Sequence, residues 1–253
     1  MKSIIYGLIF SVGFSFPLFA DTVKAYQIKY ATYFGGYVKY IGANTWHNNI
    51  YITSGDRMKE INYMGDKEPK AAEPYKLYQG KKCFHVITTV NPPESTYYDI
   101  TEFIPINKAG GGTQYLNKIF TSKKDFINSM NPKPDGKKLT VAGYLCDGYI
   151  GKGPDGKVMA LYFSKDPALL KMLDDIDKNT KNFANTMAKS IFVEHPQFGI
   201  LMKYDNIEEP TRENPLYKPS FEGSKFVITE VKETVVDPEI FSLDGLTAAP
   251  LNK

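Results

Sequence analysis

Runs of β-prone residues broken by short glycine turns, with no helix between them, restrict this chain more than any other feature. From Tyr26 it reads YQIKYATYF, then Gly35-Gly36, then YVKYIG. NIYITSGDRMKEINYM follows, and its Ser54-Gly55-Asp56 triplet is a tight reversal between two strands. YKLYQGKKCFHVITTV repeats the order strand, glycine turn, strand, and STYYDITEFI supplies one more strand. Strands in series without intervening helices build hairpins or a meander, not the parallel crossovers of α/β proteins. The 18 tyrosines and 16 phenylalanines suit broad sheets and apolar pockets equally, so composition does not choose between them.

The N-terminus points to a compartment. Met1-Lys2 is a short positive end, Ile4 to Phe19 is mostly apolar, and the stretch closes on Pro17-Leu18-Phe19-Ala20 before Asp21. This is the anatomy of a cleaved export signal, too short and wrongly flanked for a membrane anchor. We expect a signal peptide over 1–20, cleavage near Ala20, and one domain over 21–253, periplasmic or secreted, with no transmembrane segment in the mature chain. Lysine and arginine number 31 against 28 acids, a net +3 that gives no reason to expect nucleic acid as a partner. Lysine pairs at 81–82, 123–124 and 137–138 read as solvated surface.

Helical patterning enters in two insertions, near 113–130 and 166–195. In the first, Leu116, Ile119, Phe120, Phe126 and Ile127 precede Asn131-Pro132, which ends the helix because proline disfavours helical geometry in the residue before it. In the second, Asp166 is an N-cap and Pro167 suits the first helical position. Leu169, Leu173, Ile176, Phe183, Met187 and Ile191 then recur at helical spacings, opposite Lys171, Asp174, Lys178 and Lys189. The spacing predicts one amphipathic helix of about seven turns, ended by His195-Pro196. Such a helix either covers a sheet face or forms a lid over a cavity.

The chemistry-bearing residues are few. KLTVAGYLCDGYIGKGPDGKVMALYF, 138 to 163, is a hairpin that turns at Pro154-Asp155-Gly156. A strand follows its glycines, whereas a phosphate-binding loop opens a helix. Cys146 sits in the first arm of that hairpin. In an exported chain it bridges Cys83, stabilising by roughly 4 kcal/mol on the chain-entropy model, or both remain buried thiols. Cys83 and His85 share a strand face, but a zinc site needs more ligands than this pair supplies. His47, beside Trp46, sits at a turn or rim, and His195 at a helix end where its charge is favourable. The carboxylates single out no acid–base pair, so no catalytic residue, metal or cofactor is assigned. Tyr40 and Tyr51 either flank a groove or form ordinary cross-strand pairs.

NIYITSGDRMKEINYM, VAGYLCDGYIGKGPDGKVMALYFSKDPALL and the tail VITEVKETVVDPEIFSLDGL together resemble segments of the LolA-like superfamily, the periplasmic lipoprotein carriers and their exported relatives. The resemblance implies an α+β fold: a strongly curved antiparallel sheet, an incomplete β-barrel, with helices on its concave face. It also implies a cavity for acyl chains. The carriers hold their closed state with an arginine, and neither Arg57 nor Arg212 matches that position. The expected function is therefore non-catalytic binding of a hydrophobic ligand, whether lipid, acyl chain or lipoprotein anchor. Tyr40, Tyr51, Leu169, Leu173, Ile176, Phe183 and Met187 would line the site. The alternatives are an envelope protein–protein interaction module without a cavity, and an exported hydrolase built around His85.

Overall fold

The structure is a computed structural model that describes residues 21–33, 46–65, 73–89, 94–103, 123–153, 156, 158–178, 183–206 and 225–250. Its strands are β1 (Val23–Tyr33), β2 (Trp46–Ser54), β3 (Arg57–Met64), β4 (Tyr75–Gln79), β5 (Lys82–Thr88), β6 (Ser95–Asp99), β7 (Lys133–Val141), β8 (Tyr144–Lys152), β9 (Val158–Ser164), β10 (Glu194–His195), β11 (Gly199–Asn206), β12 (Lys225–Val236) and β13 (Thr247–Ala248). Helical residues 123–129 form α1, with α2 at Pro167–Asp177 and α3 at Phe183–Lys189.

All the strands join one open sheet in the order β13-β6-β5-β4-β3-β2-β1-β12-β11-β9-β8-β7, with β10 added beside β11. The predicted meander continues through β1 to β6, with two-residue turns at Gly55-Asp56 and Gly80-Lys81, while the expected Gly35-Gly36 turn and YVKYIG strand lie outside the described residues. The sheet is mixed, because β13 runs parallel to β6, which departs from the fully antiparallel sheet expected. It is also bent. The Tyr144 hydroxyl, at the start of β8, donates to the Val231 carbonyl of β12 at 3.2 Å. Three strand spacings in a flat sheet would separate these strands by roughly 14 Å.

One pairing in the sheet is thin. β12 aligns with β1 from Val23↔Val236 to Tyr33↔Lys225, with a bulge beside Lys29/Tyr30. By contrast, among the described residues β11 meets β12 at Lys203↔Val227 and Tyr204↔Phe226 alone. β11 carries its own irregularity between Leu201 and Lys203. This seam divides the sheet into a half running from β13 to β12 and a half running from β11 to β7.

The segment at 138–163 holds more than the expected hairpin. β8 and β9 pair down to Lys152↔Val158 around the expected turn, of whose residues Gly156 is described. A second hairpin precedes it, with Val141 opposite Tyr144. Its central residues Ala142 and Gly143 have φ of 51° and 86°. Two successive positive values are the hairpin turn that matches strand twist. An alanine there is strained by its Cβ, which explains why Val-Ala-Gly-Tyr reads as one continuous strand in the sequence.

The long helix expected over 166–195 is interrupted. Asp166 caps α2 as predicted, its carboxylate accepting from the amides of Ala168 and Leu169 at 2.8 and 3.3 Å. However, α2 ends at Asp177, and a separate α3 begins at Phe183 and packs back against it. Two short helices bend along the sheet, whereas one straight rod would leave it. A helical periodicity cannot signal this break, because both helices offer apolar residues at the same spacing.

The core has three parts. In the largest, Leu169, Leu173 and Ile176 of α2 pack with Ile28, Met58, Tyr78 and Cys83 of the first half and Cys146 and Ile200 of the second. A second cluster joins Ile127 of α1 and Met130 to Met159, Leu161, Phe163 and Leu201. On β9, Leu161 and Phe163 point opposite to Tyr162, which packs against the α2 cluster. Helices thus cover both faces of the second half, not the single concave face expected. The third cluster is on the outer side of β4–β6, where Leu243 and Leu246 of the tail cover Leu77, Phe84 and Val86. There Gln79 donates to the Phe241 carbonyl at 2.7 Å, and Arg57 lies over the Phe241 ring at 5.2 Å.

Candidate functional site: an aromatic cleft between two cores

Where the α1 and α2 clusters approach each other at the seam, they do not close. A cleft of about 560 Å³ remains, within the range of roughly 300–1,000 Å³ that suits one small ligand. Its sheet side carries Tyr30, Thr32, Tyr51, Phe226 and Tyr204; its helix side carries Lys123, Phe126, Ser190 and Ile191. The local reason is strand alternation: Ile28, Tyr30 and Thr32 of β1 share a face. Ile28 lies under the helices in the packed core, Tyr30 packs against the edge of that core while lining the cleft, and Thr32 lines the cleft beyond it. The rings are ordered. Tyr30 stacks on Tyr51 with centroids 5.8 Å apart, Phe226 sits 5.8 Å from Tyr30, and Tyr204 stacks on Phe226 at 5.8 Å.

Behind this aromatic wall is a polar network. Glu60 of β3 is only 5% exposed. Its carboxylate accepts from Tyr78 Oη at 2.6 Å, Asn62 Nδ2 at 3.0 Å and Lys76 Nζ at 3.2 Å, and Tyr51 stands directly opposite it on β2. Register explains the cluster, because Tyr51, Glu60, Lys76 and His85 lie directly across from one another on β2 to β5. A buried carboxylate is tolerable when its lone pairs are met in this way. Burial drives the Tyr51, Tyr78 and Tyr30 hydroxyls above their ordinary range, helped at Tyr51 and Tyr78 by the Glu60 charge. They therefore stay protonated and act as hydrogen-bonding groups.

The cleft also holds a cation. Lys123 Nζ donates to the Ser190 carbonyl at 2.5 Å, and burial lowers its pKa. Nearby, His195 ties α1 to β10. Its Nδ1 accepts the Gln197 amide at 3.2 Å, which places the ring proton on Nε2, facing Asn128 Oδ1 at 2.9 Å. Its ring stacks on Phe198 at 4.5 Å, and desolvation followed by Lys124 lowers its pKa. His195 is thus a buried joint, where the sequence places it at the charged end of a long helix.

Of the residues selected from sequence, Tyr51 lines the cleft. Leu169, Leu173 and Ile176 are elsewhere, sealed in the packed sheet–helix core, with Met187 half-buried against it. Phe183 begins α3, and Tyr40 lies outside the described residues. Cys83 and Cys146 are free, buried thiols, so the expected bridge is not formed in this structure. Burial pushes them up to about 12 and about 11 respectively, which disfavours the nucleophilic thiolate. His85 is half-buried and faces Lys76, both effects lowering its pKa. Among the described residues, no group of three or more His, Cys, Asp and Glu is placed to hold a metal ion.

Tyr30 was within reach of sequence reasoning, since period-two alternation from Ile28 places it on the same face. Lys123 was not. Its pair with Lys124 has the appearance of solvated surface, and only the fold buries it.

No protein-family model and no curated protein matches the chain. Among solved structures it is similar to MucB in its complex with MucA from Pseudomonas aeruginosa, at 11% identity and a TM-score of 0.35, over 83% of this chain and 52% of that one. It is also similar to MucB in complex with MucA(peri), at 9% identity and a TM-score of 0.32, over 83% of this chain and 50% of that one. The chain spans about half the length of either.

Proposed function

We propose that this chain is an exported, LolA-like half-barrel that carries a hydrophobic small molecule or acyl chain in the seam cleft, without covalent chemistry. The observation that carries the proposal is the cleft itself: about 560 Å³ bounded by four stacked or tilted aromatic rings and aliphatic side chains. Water gains little from such walls, and an apolar ligand would bury them. The signal-like N-terminus supports action outside the cytoplasm. Among the described residues, no helix is long and apolar enough to cross a membrane.

The test is native mass spectrometry of the purified protein, with titration of the uncharged fluorophore N-phenyl-1-naphthylamine. A copurified lipid or saturable fluorophore binding is the expected result. Absence of both would overturn the proposal. A second reading is a module that binds an envelope protein through its outer surface. It is favoured by Val235 and Leu145, apolar yet 68% and 56% exposed. Crosslinking to a partner by a protein that binds no fluorophore would select that reading.

A further inference from the structure

The cleft is not uniformly apolar, and its one asymmetry carries information. Among its described lining residues, Lys123 alone is charged. An ammonium has three protons to donate, and Ser190 O accepts one. No carboxylate among the described residues pairs with Lys123. The other polar groups of the cleft are differently placed. The Tyr51 hydroxyl faces that of Tyr30 at 3.5 Å, and Tyr51 stands directly opposite Glu60 of β3. Thr32 Oγ1 faces the His47 carbonyl at 3.5 Å. The sheet side of the cleft thus presents ring faces, and its helix side presents an under-partnered cation. A partly desolvated cation gains more from an ionic partner than one in water does.

We infer that the ligand is a single-tailed amphiphile with an anionic head, a free long-chain carboxylate, whose head meets Lys123 and whose tail lies along Tyr30, Tyr51 and Phe226. This rests on the proposed function and specifies its ligand. The volume suits one tail and not the several chains of a lipoprotein anchor. Charge complementarity selects carboxylate over alcohol or amine.

The experiment displaces N-phenyl-1-naphthylamine from the full chain with dodecanoate, 1-dodecanol and dodecylammonium. In the wild type, dodecanoate should compete at about tenfold lower concentration than the alcohol, and dodecylammonium should be weakest. Lys123→Met should bring dodecanoate to the level of the alcohol, while Lys123→Arg keeps the preference and Lys124→Met changes nothing. Thermal melts of each variant confirm folding. Equal competition by dodecanoate and dodecanol in the wild type, or a preference surviving Lys123→Met, would overturn the inference and leave hydrophobic binding standing. If the fluorophore does not bind the wild type, the proposed function fails instead. A protein that binds anionic phosphatidylglycerol vesicles but not monomeric dodecanoate recognises a membrane surface, which also overturns it.

Discussion

The packed core under α2 and the open cleft at the seam use the same material for opposite ends. Both are lined by alternate residues of neighbouring strands; Ile28 and Tyr30 are two positions apart on β1. At Ile28 the helices descend and exclude water. At Tyr30 that core gives way to the cleft, where a stack of rings has a lysine of α1 across from it. Hydrophobicity alone therefore does not distinguish a core from a binding site. The distinction comes from where the covering element stops, and here that is at the C-terminal end of α3, beside α1 and the thin β11–β12 seam.

This contrast can be broken in graded steps. Leu173→Ala removes a nearly fully buried side chain of α2 and should cost about 2–5 kcal/mol, read by urea unfolding, with fluorophore binding retained in the folded protein. Glu60→Ala removes the carboxylate that accepts from the buried Tyr78 hydroxyl and should cost about 1–3 kcal/mol. Because it also removes the side chain directly opposite Tyr51, which lines the cleft, it should weaken fluorophore binding where Leu173→Ala does not. Thr32→Trp enters empty space and should change stability by less than about 1 kcal/mol, yet lower fluorophore affinity by about tenfold or more. A stability loss as large as that of Leu173→Ala would mean that the cleft is packed core.

The smallest effect is in pH. His195 is held neutral, its pKa lowered from the ordinary 6.5. As pH falls below that value the unfolded chain takes up a proton that the folded chain resists, so stability declines. His85 shifts in the same direction and adds to the decline. His195→Gln should make the fall between neutral pH and pH 5 shallower, measured as the urea midpoint. An unchanged slope would place the ring in contact with solvent.

Local chemistry was readable in the sequence. The Gly55-Asp56 and Gly80-Lys81 reversals and the Asp166 cap follow from short-range rules, and all are present. What was not readable depends on distant chain. The parallel partnership of β13 with β6, the burial of Lys123 and the interruption between α2 and α3 are decided by tertiary packing. The site residues divide along the same line. Leu169, Leu173 and Ile176 were correctly assigned to one apolar helix face, but an apolar face does not state whether a ligand or a sheet will cover it.

The register of β1 has a further consequence, for how the molecule is made. β1 pairs on one side with β2, next in sequence, and on the other with β12, near the far end of the chain, Val23 lying opposite Val236. The middle of the sheet therefore waits for almost the last strand to be available. Sheets closed by such distant partners have high contact order and fold slowly. Until β12 arrives, the Ala25, Ile28 and Ala31 edge is an open template for any other strand. A chain so arranged depends on being kept apart from its neighbours while it folds, and its yield should fall with concentration well before its stability does.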